Sequence, residues 1–272
     1  KTGLCSIQNQ DFKDVEIVFI DDFSKDNSVN LIKELMRNDP RIVLYQNEEN
    51  KGILYSKAKG ILNSKGKYVM TLDEYNMYVQ EDAFETLYNV AETNDLDIVG
   101  YASYLSNFKM DKKIAVMRYK ESPILYQPEV AFRMYSYTRI DYIRLFGDVI
   151  SNFFFRTDLF KKALNQVDPS FLNANRNIYN DYYLFFLLTK NARNLKQIQR
   201  IFYLKLKRDN NNNNNTITSN EEEQTERDNA QCKSHLTLIE YLLNNTNNTV
   251  YDKRIASYEL NNYLNSKCKY NR

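Results

Sequence analysis

Ile17-Val18-Phe19-Ile20-Asp21-Asp22-Phe23-Ser24-Lys25-Asp26-Asn27-Ser28 is the stretch on which the reading of this chain turns. From Val15 to Ile20 the residues are largely apolar, β-branched or aromatic, and they give way to two aspartates and the turn formers Ser24, Lys25, Asp26 and Asn27. A short apolar run bounded by turn residues predicts a buried strand with its exit loop. From Ser28 onward, Val29, Ile32 and Met36, joined by Leu31 and Leu35, recur at the three- and four-residue spacings of one helix face, and Asn38-Asp39-Pro40 marks the exit.

The same alternation continues outward. Ile42 to Tyr45 predicts a strand, Gln46 to Gly52 a polar loop, Ile53 to about Asn63 a helix, and Tyr68 to Leu72 a strand ending on Asp73. Gln80 to Thr93 places Phe84, Leu87, Tyr88 and Ala91 on one helix face ahead of a strand from Asp97 to Tyr101. Strands alternating with helices predict an α/β fold, a mostly parallel sheet flanked by helices, whose ligands lie outside the carboxyl ends of the strands. Asp21, Asp22, Asn47 and Asp73 all fall at such ends. Beyond Tyr101 the pattern thins: Val149 to Phe155 reads as a strand, Asp158 to Gln166 and Asp181 to Lys190 as helices, and Ile198 to Lys205 as a strand. The Asn210 to Asn215 run and Glu221 to Glu223 make residues 209–230 a linker unable to bury a core, and residues 231–272 read as a small helical extension.

Composition narrows the function classes. The 272 residues carry 37 Lys+Arg against 35 Asp+Glu, a balance that argues against a phosphate-tracking nucleic-acid surface. No run approaches the roughly 18 apolar residues of a membrane-spanning helix, so the chain is expected to be soluble as it stands, in the cytoplasm or on the cytoplasmic face of a membrane. Cys5, Cys232 and Cys268 are far apart and form no C-x-x-C pair, which favours neither a disulfide framework nor a zinc site. His235 is the one histidine, so mechanisms that need two imidazoles are excluded and any catalysis is expected to lean on carboxylates. The first residue is Lys1, with no targeting segment behind it, and the chain is expected to be an internal piece of something longer.

Three blocks in order carry a resemblance. Ile17 to Ser28 resembles the strand and D-D-x-S-x-D-x-S of the family 2 glycosyltransferases of GT-A fold; Asn50-Lys51-Gly52, with Lys57 and Gly60, resembles their N-x-G turn and following helix; Gly66 to Asp73 resembles the strand that leads into their D-x-D motif. The resemblance is clear over residues 8–101 and fainter to about 207. It implies a GT-A-like (Rossmann-like) domain over residues 1–208 that lacks its first strand. It also implies an inverting transfer of a sugar from a nucleotide-sugar, UDP-linked, to a hydroxyl on a glycan, lipid or protein. In such a reaction a carboxylate takes the acceptor's proton and a divalent metal, manganese or magnesium, neutralises the departing diphosphate.

Carried onto this chain, the resemblance gives Asp21 or Asp22 to the base or ribose, Lys57 to the nucleotide, and Asp73 with Glu74 to the metal. Asp181, at the start of a helix in Tyr179-Asn180-Asp181, becomes the general base. The departures are as informative. Tyr75 stands where the family's reading L-D-x-D-D has a metal-ligating aspartate, and a phenol with a pKa of about 10 is a poor ligand for a hard cation. Asn180 replaces the usual glutamate, Phe153 a common lysine, and Lys57 an arginine, giving charge without a bidentate fork.

The alternative from another class is therefore a catalytically degenerate binding or scaffolding module of the same fold. Plainer readings exist residue by residue: Asp21-Asp22 as a turn and cap, Asn180-Asp181 as a helix cap, Tyr182, Tyr183, Phe185 and Phe186 as core, Lys205 and Lys207 as a solvated strand edge. A phosphoacceptor receiver would also place acids after two strands, but it has no use for the Ser24-Asp26-Ser28 block or the Asn50-Lys51-Gly52 turn.

Overall fold

The computed structural model describes residues 2–107, 109–111, 113–117, 121–127, 150–167, 172 and 180–207, and positions 236, 239, 240 and 244 beyond them. Along the chain run α1 (Thr2–Gln8), β1 (Ile17–Asp21), α2 (Ser28–Asn38), β2 (Ile42–Gln46), α3 (Ile53–Asn63), β3 (Tyr68–Val69), β4 (Met77–Tyr78), α4 (Ala83–Thr93), β5 (Ile98–Asn107), β6 (Lys113–Met117), β7 (Leu125–Tyr126), β8 (Phe153–Arg156), α5 (Thr157–Leu164), α6 (Asn180–Asn191) and β9 (Asn194–Lys207). The predicted linker 209–230 lies outside the described residues. So does all of 231–272 except Leu236, Ile239, Glu240 and Asn244, each of which is helical.

The strands form two sheets. β1 pairs parallel with β2, Ile17 opposite Ile42 and Asp21 opposite Gln46. Seven strands make the second sheet, ordered β3-β8-β5-β9-β4, with β6 on β5 and β7 on β9. Within it β5 and β9 run parallel, and β8 lies antiparallel between β3 and β5, so β3, β5 and β9 share one direction while β4, β6, β7 and β8 oppose it. β1 and β2 share one direction and β3, β5 and β9 another common one, whereas β8, although helices follow it, runs against its neighbours. The carboxyl ends of β3, β5 and β9 consequently gather on one edge of their sheet, as the alternation predicts.

Helices cover both faces. On one face α3, α5 and α6 pack Leu54, Ala58, Ile61, Leu159, Phe160, Phe185 and Leu188 against Ile98, Phe153 and Phe155. On the other, α4 packs Ala83, Phe84, Leu87 and Ala91 against Val99, Tyr101, Phe154 and Phe202. A third cluster joins Leu4 of α1 to Ile17 and Ile42, under Ile32, Leu35 and Met36 of α2. Helices α1 and α3 thus span the two sheets. Among the described residues no strand pairs with the second edge of β1 or of β3. The strands flank the same gap, for the Lys65 backbone N–H, just ahead of β3, donates to Glu16 Oε1, just ahead of β1, at 3.2 Å.

The amino ends of β5 and β9 and the carboxyl end of β8 are locked by charge. Arg193 Nη2 donates to the buried Asp97 Oδ1 at 2.7 Å, Arg156 Nε lies 3.2 Å from the same oxygen, and both arginines also pair with Asp95. A buried carboxylate flanked by two guanidinium groups is compensated rather than isolated. This network stands at the end of β5 opposite the edge where β3 delivers Asp73, which marks it as scaffold. No helix among the described residues is long and apolar enough to cross a membrane.

Candidate active site

At the carboxyl ends of β1 and β2, the Asn47 N–H donates to the Asp21 carbonyl at 2.9 Å and closes the ladder. The next residue, Asp22, leaves the sheet and gathers the loop that follows β2. Its Oδ1 accepts from Asn47 Nδ2 and from the Lys51 N–H, and its Oδ2 from the Gly52 N–H, all at 2.8 Å. Asn47 Nδ2 also donates to Ser56 Oγ at 3.0 Å, while its Oδ1 accepts from Lys59 Nζ at 2.9 Å. Three of a carboxylate's roughly four acceptor directions are thereby used on the protein itself. Gly52 caps α3 at φ 87°, left-handed backbone in which a side chain is strained.

Asp21 is buried and accepts the Ser24 N–H at Oδ2, 3.3 Å away, which leaves it more acceptor capacity than Asp22. Asp26 is held below the ordinary carboxylate range by the hydroxyl and N–H of Ser28, so the acid of the D-x-S pair serves the start of α2. Between them Phe23 adopts φ 66°.

The Gly52 cap begins the helix that carries Lys57, whose Nζ lies 3.1 Å from Asp73 Oδ1. This ion pair connects the β2–α3 side of the edge to the loop beyond β3. That loop is tied in turn to β9 and α1. Buried Asn76 donates from Nδ2 to the Tyr203 hydroxyl at 3.2 Å and accepts the Leu206 N–H at 3.0 Å, and the Asp73 N–H reaches the same hydroxyl at 3.5 Å. A Cβ on Gly3 would stand 2.8 Å from the Asn76 carbonyl oxygen, so α1 sits directly on this loop. Asp21, Asp22, Lys57 and Asp73 are therefore organised along one edge. Only Tyr68 and Val69 of the predicted strand Tyr68 to Leu72 are laddered, because the chain then bends away toward these anchors.

For a divalent cation the donor set is thin. No group of three or more His, Cys, Asp or Glu side chains that could hold a metal occurs among the described residues. Asp73 already carries an ammonium, which competes for the same oxygen. Hard cations want several ionised oxygens, and Asp73 with Glu74 does not by itself make such a cage. The expected metal site is thus not matched by the geometry around these two carboxylates.

The second region is placed by its backbone. Asp181 is the second residue of α6, which packs on α5, so the predicted helix start is there. Phe153, Phe185 and Phe186 are buried in the core, as the plainer reading had it for the last two. Lys205 corrects an expectation: it is not a solvated edge but 4% exposed, because β9 runs between β5 and β4 and is an interior strand of the sheet. The clamp from Tyr203 to Asn76 escapes motif reading, since its partners are 127 residues apart.

The site is thus an acidic, lysine-bearing edge at the strand ends of an α/β domain. The sequence profile of the family described as Glycosyl transferase family 2 matches residues 2–164. This chain belongs to that family. Among curated relatives, glycosyltransferase GlyG of Streptococcus pneumoniae is 33% identical over 93 residues, 34% of this chain and 31% of the relative. The GalNAc(5)-diNAcBac-PP-undecaprenol beta-1,3-glucosyltransferase of Campylobacter jejuni is 34% identical over 109 residues, 40% of this chain and 33% of the relative. Each match thus spans about a third of the relative's length. Among solved structures, S. aureus TarS 1–349 in complex with UDP-GlcNAc superposes with TM-score 0.66 at 15% identity, covering 96% of this chain and 68% of that one. The likeness fixes the fold as GT-A-like.

Proposed function

We propose that this chain is a glycosyltransferase domain that moves a sugar from a nucleotide-sugar, UDP-linked, onto an acceptor hydroxyl with inversion. The observation that carries the reading is the pairing of Lys57 with Asp73 beside the Asp22-held loop, at the strand ends of a family 2 member. TarS, similar in fold, has been solved with UDP and with UDP-GlcNAc, which supports the choice of donor. In this reading Asp21 accepts from the nucleoside, Asp22 shapes the loop around it, and Lys57 offsets charge on the diphosphate. The acceptor oxygen attacks the anomeric carbon, its proton passes to the Asp181 carboxylate, and the bond to the nucleoside diphosphate breaks on the opposite face. The edges of β1 and β3 that no described strand pairs with suit one further strand, which would join the two sheets and wall the donor site.

A second reading, a fold relative that binds without catalysing, is favoured by Tyr75 at the expected ligand position and by the ammonium on Asp73. Release of UDP from UDP-GlcNAc separates the two, and thermal unfolding with saturating UDP, with and without manganese, for the parent chain and Tyr75→Asp tests the nucleotide binding that both need. A ligand at about 100 times its Kd stabilises by roughly 2.7 kcal/mol, or about 5–10 °C for a domain of this size. Both readings expect that rise in the parent, and the transferase reading alone expects UDP release. A rise confined to Tyr75→Asp with manganese would mean a site that has lost its metal, and no rise in either would overturn nucleotide binding.

A further inference from the structure

A fixed positive charge stands at the strand-end edge where a metal ion is expected. Lys57 Nζ lies 3.1 Å from Asp73 Oδ1. Three residues after Leu54 and four before Ile61, Lys57 shares the stripe of α3 that packs on the core. Its side chain is 13% exposed against 36% for that of Asp73, so the ammonium is held from inside the fold while the carboxylate meets solvent.

The positions beside Asp73 do not complete a cage of ionised oxygens. Glu74 is exposed, and Tyr75 brings a phenol, which stays neutral at physiological pH. The Asn76 amide is engaged in holding the loop: Nδ2 donates to the Tyr203 hydroxyl at 3.2 Å, and Oδ1 accepts the Leu206 N–H at 3.0 Å. Among the described residues no three His, Cys, Asp or Glu side chains converge as metal ligands. A hard dication wants several ionised oxygens, and the ammonium on Asp73 repels it from this one.

We propose that Lys57 takes the place of the divalent cation, so that the chain holds a nucleoside diphosphate by this ammonium and without a metal ion. The inference rests on the nucleotide-sugar reading above and departs from the metal which that reading carries. An ammonium is a compact point charge with three donors, able to face a carboxylate and a phosphate oxygen together. Fixed on a helix at a partly desolvated edge, it acts more strongly than the same charge in water and has no ion to recruit. Asp73 is then a positioning residue that aims the ammonium. Tyr75 and Lys57 become two parts of one arrangement, in which an acid that would ligate a metal is missing and the positive charge is covalently attached.

The test is calorimetric titration of UDP into the full chain in EDTA and in manganese, repeated with Lys57→Met and Lys57→Arg. The parent is expected to bind UDP in EDTA within about fivefold of its affinity in manganese. In EDTA, Lys57→Met keeps most of the packed stem and removes the charge, and is expected to weaken UDP by about 10- to 150-fold, the contribution of a hydrogen bond to a charged group. Lys57→Arg restores the charge and is expected to recover most of that loss. Parent binding that appears only with manganese, or that manganese tightens by more than about fivefold, would overturn the proposal and leave the nucleotide reading intact. So would Lys57→Met, shown by circular dichroism to be folded, binding UDP in EDTA as tightly as the parent. The parent comparison needs no variant, and it decides the matter even where Lys57→Met does not fold. Failure of the parent to bind UDP in either buffer would overturn both readings.

Discussion

Asp22→Ala is the perturbation that best separates a structural acid from a ligand-facing one. In the folded chain the Asp22 carboxylate accepts three hydrogen bonds at 2.8 Å, two of them from the backbone N–H groups of Lys51 and Gly52 and one from Asn47. Hydrogen bonds to a charged group contribute about 1.5–3 kcal/mol each, but donors that regain water on truncation recover part of that. Lys51 and Gly52 are only half-buried and can be rehydrated, whereas Asn47 is buried and cannot easily be. A net loss of about 3 kcal/mol follows, equivalent to a fall of roughly 6–12 °C in Tm. Were Asp22 simply a surface acid awaiting a ligand, removing it would change stability by about 0.5 kcal/mol or less. Thermal unfolding in the absence of nucleotide therefore decides the matter, with circular dichroism to show that the variant folds. An Asp22→Ala melting point within about 1 °C of the parent would refute the loop-holding role.

Two further outcomes are expected. Gly52→Ala places a side chain at φ 87° and ψ 168°, a backbone region essentially confined to glycine, and is expected to cost about 1–3 kcal/mol, read as a Tm lower by several degrees. Asp39, hydrogen-bonded by Arg41 and Gln8, has its carboxyl held well below the ordinary range, so its contribution is present above a pH of about 4 and is lost as pH falls through the depressed folded value; denaturant melts between about pH 5 and 2 should show a shallower acid loss in Asp39→Asn than in the parent.

How much of this was legible in the sequence depends on the range of the interactions. β1, α2, β2, α3 and α4 are local objects, written in apolar spacing and turn residues, and the structure places them within a few residues of their predicted bounds. β9 runs beyond both ends of the predicted Ile198 to Lys205, to 14 residues, because Asn194 to Gln197 and Leu206 to Lys207 pair with β5 and β7, so the sheet rather than the local pattern fixes its length. α1 is seven residues long with few apolar positions, and only Leu4 and Ile7, three apart, hint at its buried face. The acids of the candidate site were visible as types at strand ends. Their division of labour was not, because which oxygen of Asp22 meets which N–H depends on how a loop 25 to 30 residues away folds back. The pairing of Lys57 with Asp73 and the Tyr203 clamp on Asn76 likewise join distant segments that no spacing rule relates.

The gap between β1 and β3 gives the strand-end edge a mechanical character. Asp21, Asp22 and Asn47 ride on the two-stranded sheet, whereas Asp73 and Asn76 are fastened to the seven-stranded one. Their separation is set by helices lying across a seam and not by a continuous ladder of backbone bonds. Helices slide on apolar contacts far more readily than paired strands do, so the width of the jaw is the softest dimension of the fold. A molecule that gripped Asp21 with one end and the Asp73 loop with the other would act as a tie-rod across that seam, so that its seating and the distance between the two sheets would be set in a single event.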